Sequence, residues 1–225
     1  MTYKFDAIIW DCDGVLIDSE VISCSVSVDF LKNYGIEIEL SDYMDKFLGC
    51  RFKDTLRILE GKFGINLTKI VTQTDIDRRN QCKLDLFETE LKAIPNVDKV
   101  LEILEVPTAV ASGSYSKRLQ KSLTLTNLIQ FFEDDKICSS DFVKHGKPAP
   151  DVFLYAAKKL GIKPERCLVI EDSHNGIIGA KKAGMTAFGF TGASHMTQKR
   201  IAKLKEVEAD FIFNDMLDLQ KLLKE

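Results

Sequence analysis

The chain has 225 residues, 45% hydrophobic and 29% charged, with a net charge of −3 from 31 basic and 34 acidic side chains. That is the composition of a globular protein, either one large domain or a core with a smaller insert, and it offers no basic surface for nucleic acid or an anionic membrane. No apolar run approaches the length of a bilayer span, and the acidic Asp6 stands where a secretory leader would carry its apolar region; the cytoplasm is the expected compartment.

In chain order, the first predicted strand is Ala7–Trp10. It runs into Asp11-Cys12-Asp13-Gly14, two carboxylates two residues apart followed by a glycine that frees the backbone to turn. A turn there can bring both carboxylates to one pocket, where one attacks a substrate and the other moves protons. Taken alone, the pattern is equally that of a solvated turn.

From about Ser19 to Glu90 no strand is predicted, only helical stretches around Val21–Tyr34, Phe52–Phe63 and Ile76–Leu91, separated by Gly35, Gly49 and the turn from Gly61 to Gly64. An all-helical block after a first strand reads as a cap, residues 18–90, inserted into a core of 1–17 plus 91–225. The alternative is a long connection merely packed on the sheet, and such connections are uncommon.

Beyond the cap, strands are predicted at Thr108–Ala111, Lys136–Cys138, Cys167–Ile170, Thr186–Phe190 and Phe211–Phe213. Amphipathic helices fall between them at Val97–Leu104, Lys117–Leu125, Asp151–Leu160 and Ile177–Ala183. In Asp151–Leu160 the residues Leu154, Ala157 and Leu160 recur at helical spacing, with Pro150 suited to a first turn and Gly161 to a helix end. Strand–helix alternation predicts an α/β fold, a Rossmann-like, doubly wound parallel sheet with helices on both faces. The six scattered cysteines have no C-x-x-C pair and no nearby histidine; reduced core thiols are expected rather than a zinc or redox site.

Ligands of an open α/β sheet bind outside the carboxyl ends of its strands. Those ends carry Asp11 and Asp13, then Ser112 with Gly113 and Ser114, and then Glu171-Asp172-Ser173, with His145-Gly146-Lys147-Pro148 in the loop between the third and fourth strands. Carboxylates, a hydroxyl beside a glycine, and a lysine form an inventory for a divalent cation and a phosphoryl group. Mg²⁺ takes oxygen ligands and keeps waters, so Asp11 and Asp172 suffice to hold it. Ser112 and the amides beside Gly113 can hold phosphate oxygens, and Lys147 adds a compact positive charge.

These residues resemble the haloacid dehalogenase superfamily. Asp11 to Ser19 is similar to its first motif, D-x-D-G-x-x-x-D-[ST]; Ser112 to the second; Gly146-Lys147-Pro148-Ala149-Pro150-Asp151 to the third; and Glu171-Asp172-Ser173 with Gly176-Ile177 to the fourth. The inserted block resembles the family's small α-helical cap, as in beta-phosphoglucomutase and the sugar-phosphate phosphatases. The resemblance implies Asp11 as nucleophile and Asp13 as general acid/base. It implies magnesium ligands at Asp11, at the backbone carbonyl of Asp13 and at Asp172, with Glu171 close by or ligating, and phosphate contacts from Ser112 and Lys147. The second aspartate favours phosphoryl transfer over dehalogenation.

The implied activity is Mg²⁺-dependent hydrolysis of a small phosphorylated sugar or sugar acid such as 6-phosphogluconate, by a monomer without nucleic-acid or membrane partners. The competing reading is a sugar phosphomutase. Against it, Ser23, Leu48 and Phe52 stand where that enzyme carries a histidine and basic cap residues. A phosphonate hydrolase would need a cap lysine able to form a Schiff base, for which Lys46 and Lys53 remain open, and a non-catalytic phosphate-binding protein is the third class. Substrate recognition is expected from basic cap residues, Arg51 or Lys53 first, with Lys46 and Arg57 nearby. Asp18 is assigned a structural role, as a helix cap or hinge; His145 and His174 are expected to be solvated, and His195 to take no part in chemistry.

Overall fold

The computed structural model describes residues 4–48, 50 and 52–223. The chain divides into two units, Met1–Asp18 with Lys92–Glu225, and Ser19–Leu91. In chain order the elements are β1 (Ala7–Trp10), then α1 (Glu20–Lys32), α2 (Leu40–Phe47), α3 (Phe52–Phe63), α4 (Leu67–Ile70) and α5 (Gln73–Glu90) in the second unit. The first unit resumes with α6 (Val97–Glu102), β2 (Thr108–Ser112), α7 (Ser116–Leu125), β3 (Ile137–Ser139) and α8 (Asp151–Leu160). It ends with β4 (Cys167–Glu171), α9 (His174–Lys182), β5 (Thr186–Phe190), α10 (Gln198–Glu206), β6 (Phe211–Phe213) and α11 (Met216–Leu222).

Among the described residues the six strands are all parallel, in the order β3-β2-β1-β4-β5-β6. The chain winds outward from β1 in one direction, returns to the middle, and winds outward again from β4. The reversal falls between β1 and β4, where ligands of such sheets bind. Trp10 is level with Val110 on one side and Ile170 on the other, so the residues that follow emerge side by side at one edge.

The strands are continuous apolar runs because both faces are covered. Ala7, Ile9, Ala109, Ala111, Cys167, Val169 and Ala187 pack with Val152, Phe153, Ala156 and Ala157 of α8 and with Ile177 and Ala180 of α9. Alternation turns Ile8, Trp10, Val110, Leu168 and Ile170 to the other face, where they are equally buried. The Trp10 indole satisfies its one donor on Thr108 Oγ1 at 2.5 Å.

Helix α8 has the predicted bounds, with Gly161 closing it at φ 70°, and Ala157 and Leu160 lie against the core as their spacing predicts, but Leu154 does not. Val152, Phe153, Ala156 and Ala157 face inward, while Leu154 is 41% exposed. Small residues let the helix lie close on the sheet, so Ala and Val set its rotation rather than Leu154.

In the second unit, Cys24, Val28 and Leu31 of α1 pack with Tyr43, Met44 and Phe47 of α2, with Leu56 and Leu59 of α3, and with Leu67. Helix α5 begins at Gln73, earlier than its apolar pattern suggests, because Thr72 and Asp75 form a reciprocal capping box. Helices α2, α4, α10 and α11 were not among the predicted segments; all are short. Cys12, Cys24, Cys138 and Cys167 are buried thiols, whereas Cys50 and Cys82 are exposed, contrary to a core role for all six. Among the described residues, no helix is long and apolar enough to cross a membrane.

Candidate active site

After β1 the chain makes a tight turn. The N–H groups of Leu16 and Ile17 donate to the Cys12 carbonyl, and Gly14 N donates to Ile17 O at 2.7 Å. Gly14 has φ 82°, and a Cβ there would lie 1.8 Å from Asp172 Oδ2, so both the turn and the approach of that carboxylate require glycine. The turn holds Asp11 and Asp13 at the sheet edge, with Cys12 buried beside them.

Lys147 bridges two of the site's carboxylates. Its Nζ donates to Asp11 Oδ1 at 2.5 Å and to Glu171 Oε1 at 2.6 Å, and it lies 4.8 Å from the centre of the Phe153 ring. Burial works against the Lys147 charge, but Asp11 and Glu171 outweigh it and hold the ammonium above the usual lysine range. The other oxygen of Glu171 accepts from Ser173 N and Oγ at 2.7 and 2.8 Å. Ser173 in turn caps α9 by accepting from Gly176 N. A Cβ on Gly176 would fall 1.7 Å from Glu171 Oε1, so this carboxylate also lies over a glycine.

Asp11, Glu171 and Asp172 are buried, and each offers a carboxylate oxygen within 4.8 Å of the others. Burial pushes Asp11 well above the ordinary aspartate range, and Glu171, Asp172 and Asp13 reinforce it against the pull of Lys147. Asp172 is raised in the same way, by burial and then by Glu171. Three buried oxygen anions with one ammonium among them form a donor set suited to a hard divalent cation such as Mg²⁺. The carboxylate of Asp13 lies outside this trio: it accepts from Ser114 Oγ at 2.8 Å and from both terminal nitrogens of Arg118.

The raised carboxylates give a signed prediction. Because their folded-state affinity for protons exceeds that of the unfolded chain, the stability they contribute without metal is greatest below the unfolded carboxylate pKa and is lost as pH rises through the raised values. A cation binding the ionised trio should recover it in that same window. Mg²⁺ at a hundredfold excess over Kd adds about 2.7 kcal/mol, roughly 5–10 °C for a chain of this size. Calorimetry should show a larger Mg²⁺-induced rise in Tm at pH 8 than at pH 5; equal shifts would contradict it.

The structure brings Asp11, Asp13, Ser112, Lys147, Glu171 and Asp172 to one sheet edge. Ser112 is buried, and its Oγ accepts from Ser114 N at 3.0 Å; Gly113 beside it is exposed, with open space where a Cβ would be. Lys46, Lys53 and Arg57 are exposed on the second unit, with Arg57 paired to Asp54 at 2.7 Å. Arg51 lies outside the described residues. Among the described residues, the buried cations of that unit are Arg79 and Lys83, one helical turn apart on α5; Arg79 stacks 3.9 Å from the centre of the Phe52 ring and donates to Ser27 Oγ. Neither stood out in the sequence, because burial of a cation in a polar helix leaves no compositional mark.

Two further residues have partners that their places in the sequence do not show. Asp18 does not cap α1, whose N-cap position is Ser19; its carboxylate accepts from Ser194 N and Oγ. His195, expected to take no part in chemistry, is buried with Nε2 3.1 Å from Asp172 Oδ2, against a carboxylate of the trio. The loop after β5 carries it there, and a lone histidine in a loop gives no sign of that fold-back. Arg118 and Ser114, which hold Asp13, were likewise not singled out as partners. By contrast, His145 and His174 are exposed, as expected.

The chain is similar to 6-phosphogluconate phosphatase of Escherichia coli, 29% identical over 85% of each chain, and to hexitol phosphatase B of the same organism, 30% identical over 80% of each. Among solved structures, a conserved haloacid dehalogenase-like protein of unknown function from Agrobacterium tumefaciens superposes with a TM-score of 0.86, at 34% identity over 98% of both chains. The sequence profile of the haloacid dehalogenase-like hydrolases matches residues 8–190, from β1 to the end of β5. With its doubly wound parallel sheet and its acidic switch-point edge, this chain belongs to the haloacid dehalogenase-like hydrolase family.

Proposed function

We propose that this hydrolase is a Mg²⁺-dependent phosphatase of small phosphorylated sugars or sugar acids, working through an aspartyl-phosphate on Asp11. The observation that carries the reading is the Lys147 bridge between Asp11 and Glu171 beside Asp172, with the carboxylate of Asp13 held separately. One carboxylate sits in the charged cluster as a nucleophile should, and another stands outside it, available for proton transfer. The relatives named for sugar-phosphate hydrolysis support the substrate class.

Asp11, Glu171 and Asp172, with the backbone carbonyl of Asp13, would hold the cation, which when bound screens the negative charge of the phosphoryl group. Asp11 attacks phosphorus opposite the leaving oxygen, and Lys147 and Ser112 hold the transferred oxygens. Asp13 gives a proton to the departing alcohol. It then takes one from the water that cleaves the aspartyl-phosphate, releasing inorganic phosphate and restoring Asp11. Gly113 adds a backbone amide beside Ser112, and Arg51 and Lys53 are the sequence candidates for recognising the sugar.

A panel of sugar phosphates and sugar-acid phosphates assayed with Mg²⁺ tests the reading. The expected result is phosphate release from at least one of them at a kcat/KM of roughly 10⁴ M⁻¹ s⁻¹ or more, lost when EDTA is added. No turnover of any ester, or equal turnover in EDTA, would overturn it.

A further inference from the structure

Asp13 must deliver its proton to one particular oxygen, yet a carboxylate on a single Cβ swings freely unless something holds it. Here its backbone is pinned by the tight turn, with Asp13 bridged to Ile17 and Gly14 bonded to Ile17 O. Its side chain meets a fork. Arg118, in the first turn of α7, donates from one terminal nitrogen to Oδ1 at 2.5 Å and from the other to Oδ2 at 3.2 Å, and Ser114 Oγ donates to Oδ2 at 2.8 Å. Arg118 also donates to Ser114 Oγ, closing a ring of three side chains. The Arg118 and Asp13 side chains are only 11% and 15% exposed.

We propose that Arg118, steadied by Ser114, is the positioning residue that aims the Asp13 carboxyl at the leaving-group oxygen. A planar guanidinium on both oxygens of a carboxylate defines the carboxylate plane as well as its place, which a lysine's point charge cannot do. An exposed pair would hold little order, but this one is largely sealed from water and has a third donor. Proton transfer demands heavy-atom separations of about 2.6–3.2 Å, so a carboxyl that wanders forfeits the reaction even at full occupancy of the site. Arg118 follows Ser114 by four residues across the entry to α7. The strand end that supplies Ser112 therefore also supplies both holders of Asp13.

This assignment rests on the phosphatase reading, and its test separates the two. In the first step Asp11 forms a bond to phosphorus, the P–O bond to the leaving group breaks, and its electron pair stays on the leaving oxygen, which takes the proton from Asp13. An alkoxide leaving from a sugar phosphate is strongly basic and needs that proton; p-nitrophenolate is weakly basic and departs without it. Both esters are compared through kcat/KM, which reports steps up to release of the alcohol. Arg118→Ala should lower kcat/KM for the best sugar phosphate by about 10²–10³-fold, the range of a general-acid contribution. It should lower that for p-nitrophenyl phosphate by less than about tenfold on the same reasoning.

Arg118→Lys should recover little, because it cannot form the fork, while added guanidinium ion should restore part of the Arg118→Ala loss on the sugar phosphate. Equal losses on the two esters, or no response to guanidinium in a variant with wild-type Tm, would overturn the assignment and leave the phosphatase reading standing. A wild-type chain inactive on both esters, and on the wider panel, would overturn both.

Discussion

Asp11→Asn is expected to be folded and inactive, with kcat lower by about 10⁴–10⁶-fold, the scale of removing a covalent nucleophile. The same variant should not be destabilised. Burial among Glu171, Asp172 and Asp13 makes the ionised form of Asp11 unfavourable despite Lys147. An uncharged isostere removes that burden, so the metal-free Tm at neutral pH should stay level or rise. It also removes one of the three carboxylates proposed to hold the cation, so the Tm gained on adding Mg²⁺ should shrink. Steady-state assays with two thermal scans, with and without Mg²⁺, check all three. Turnover near that of the wild type would overturn the mechanism; a large fall in Tm would show that Asp11 is structural.

Lys147→Met is expected to cost both stability and activity. The side chain keeps most of its volume beside Phe153 but leaves Asp11 and Glu171 without the ammonium that bridges them. Removing one partner from a buried ionic cluster costs about 3–5 kcal/mol, or roughly 10 °C in a chain of this size. The penalty should ease as pH falls, because Asp11 and Asp172 already favour protonation and each proton bound removes a repulsion. It should ease at neutral pH when Mg²⁺ is added. kcat should drop by about 10²–10³-fold, as for loss of one preorganised charge at a phosphoryl group. A Tm unchanged at pH 8 without metal would show that the bridge contributes nothing to folding, and unchanged kcat would remove Lys147 from the phosphate-binding set.

These two variants concern residues that stand out in the linear chain. Asp11, Ser112, Glu171 and Asp172 are legible because each ends or follows an apolar run, and strand ends of a parallel sheet face one way; Lys147 is legible through the Gly146-Lys147-Pro148 pattern in the loop before α8. The partners of Asp18 and His195, and the place of Arg118, escaped the sequence for a common reason. Each residue acts through a partner brought near by the fold: Ser194 for Asp18, Asp172 for His195 and Asp13 for Arg118. Leu154 was misread for a different reason, since periodicity gives a helix its apolar face only to within a rotation that close packing of Ala156 and Ala157 decides.

By itself, then, the sequence determined the alternation of strands and helices, the helical insertion after β1 and the set of charged residues at the strand ends. Those are local properties of spacing and side-chain type. Tertiary structure alone decided that the β1/β4 reversal sets Asp11 against Glu171 and Asp172, and that Lys147 bridges the first two. It also decided that Gly14 and Gly176 make room for carboxylates and that Arg118 grips Asp13 across more than a hundred residues of chain. The physical reason is that the energy of a buried charge depends on what surrounds it, and those surroundings exist only once distant segments have packed.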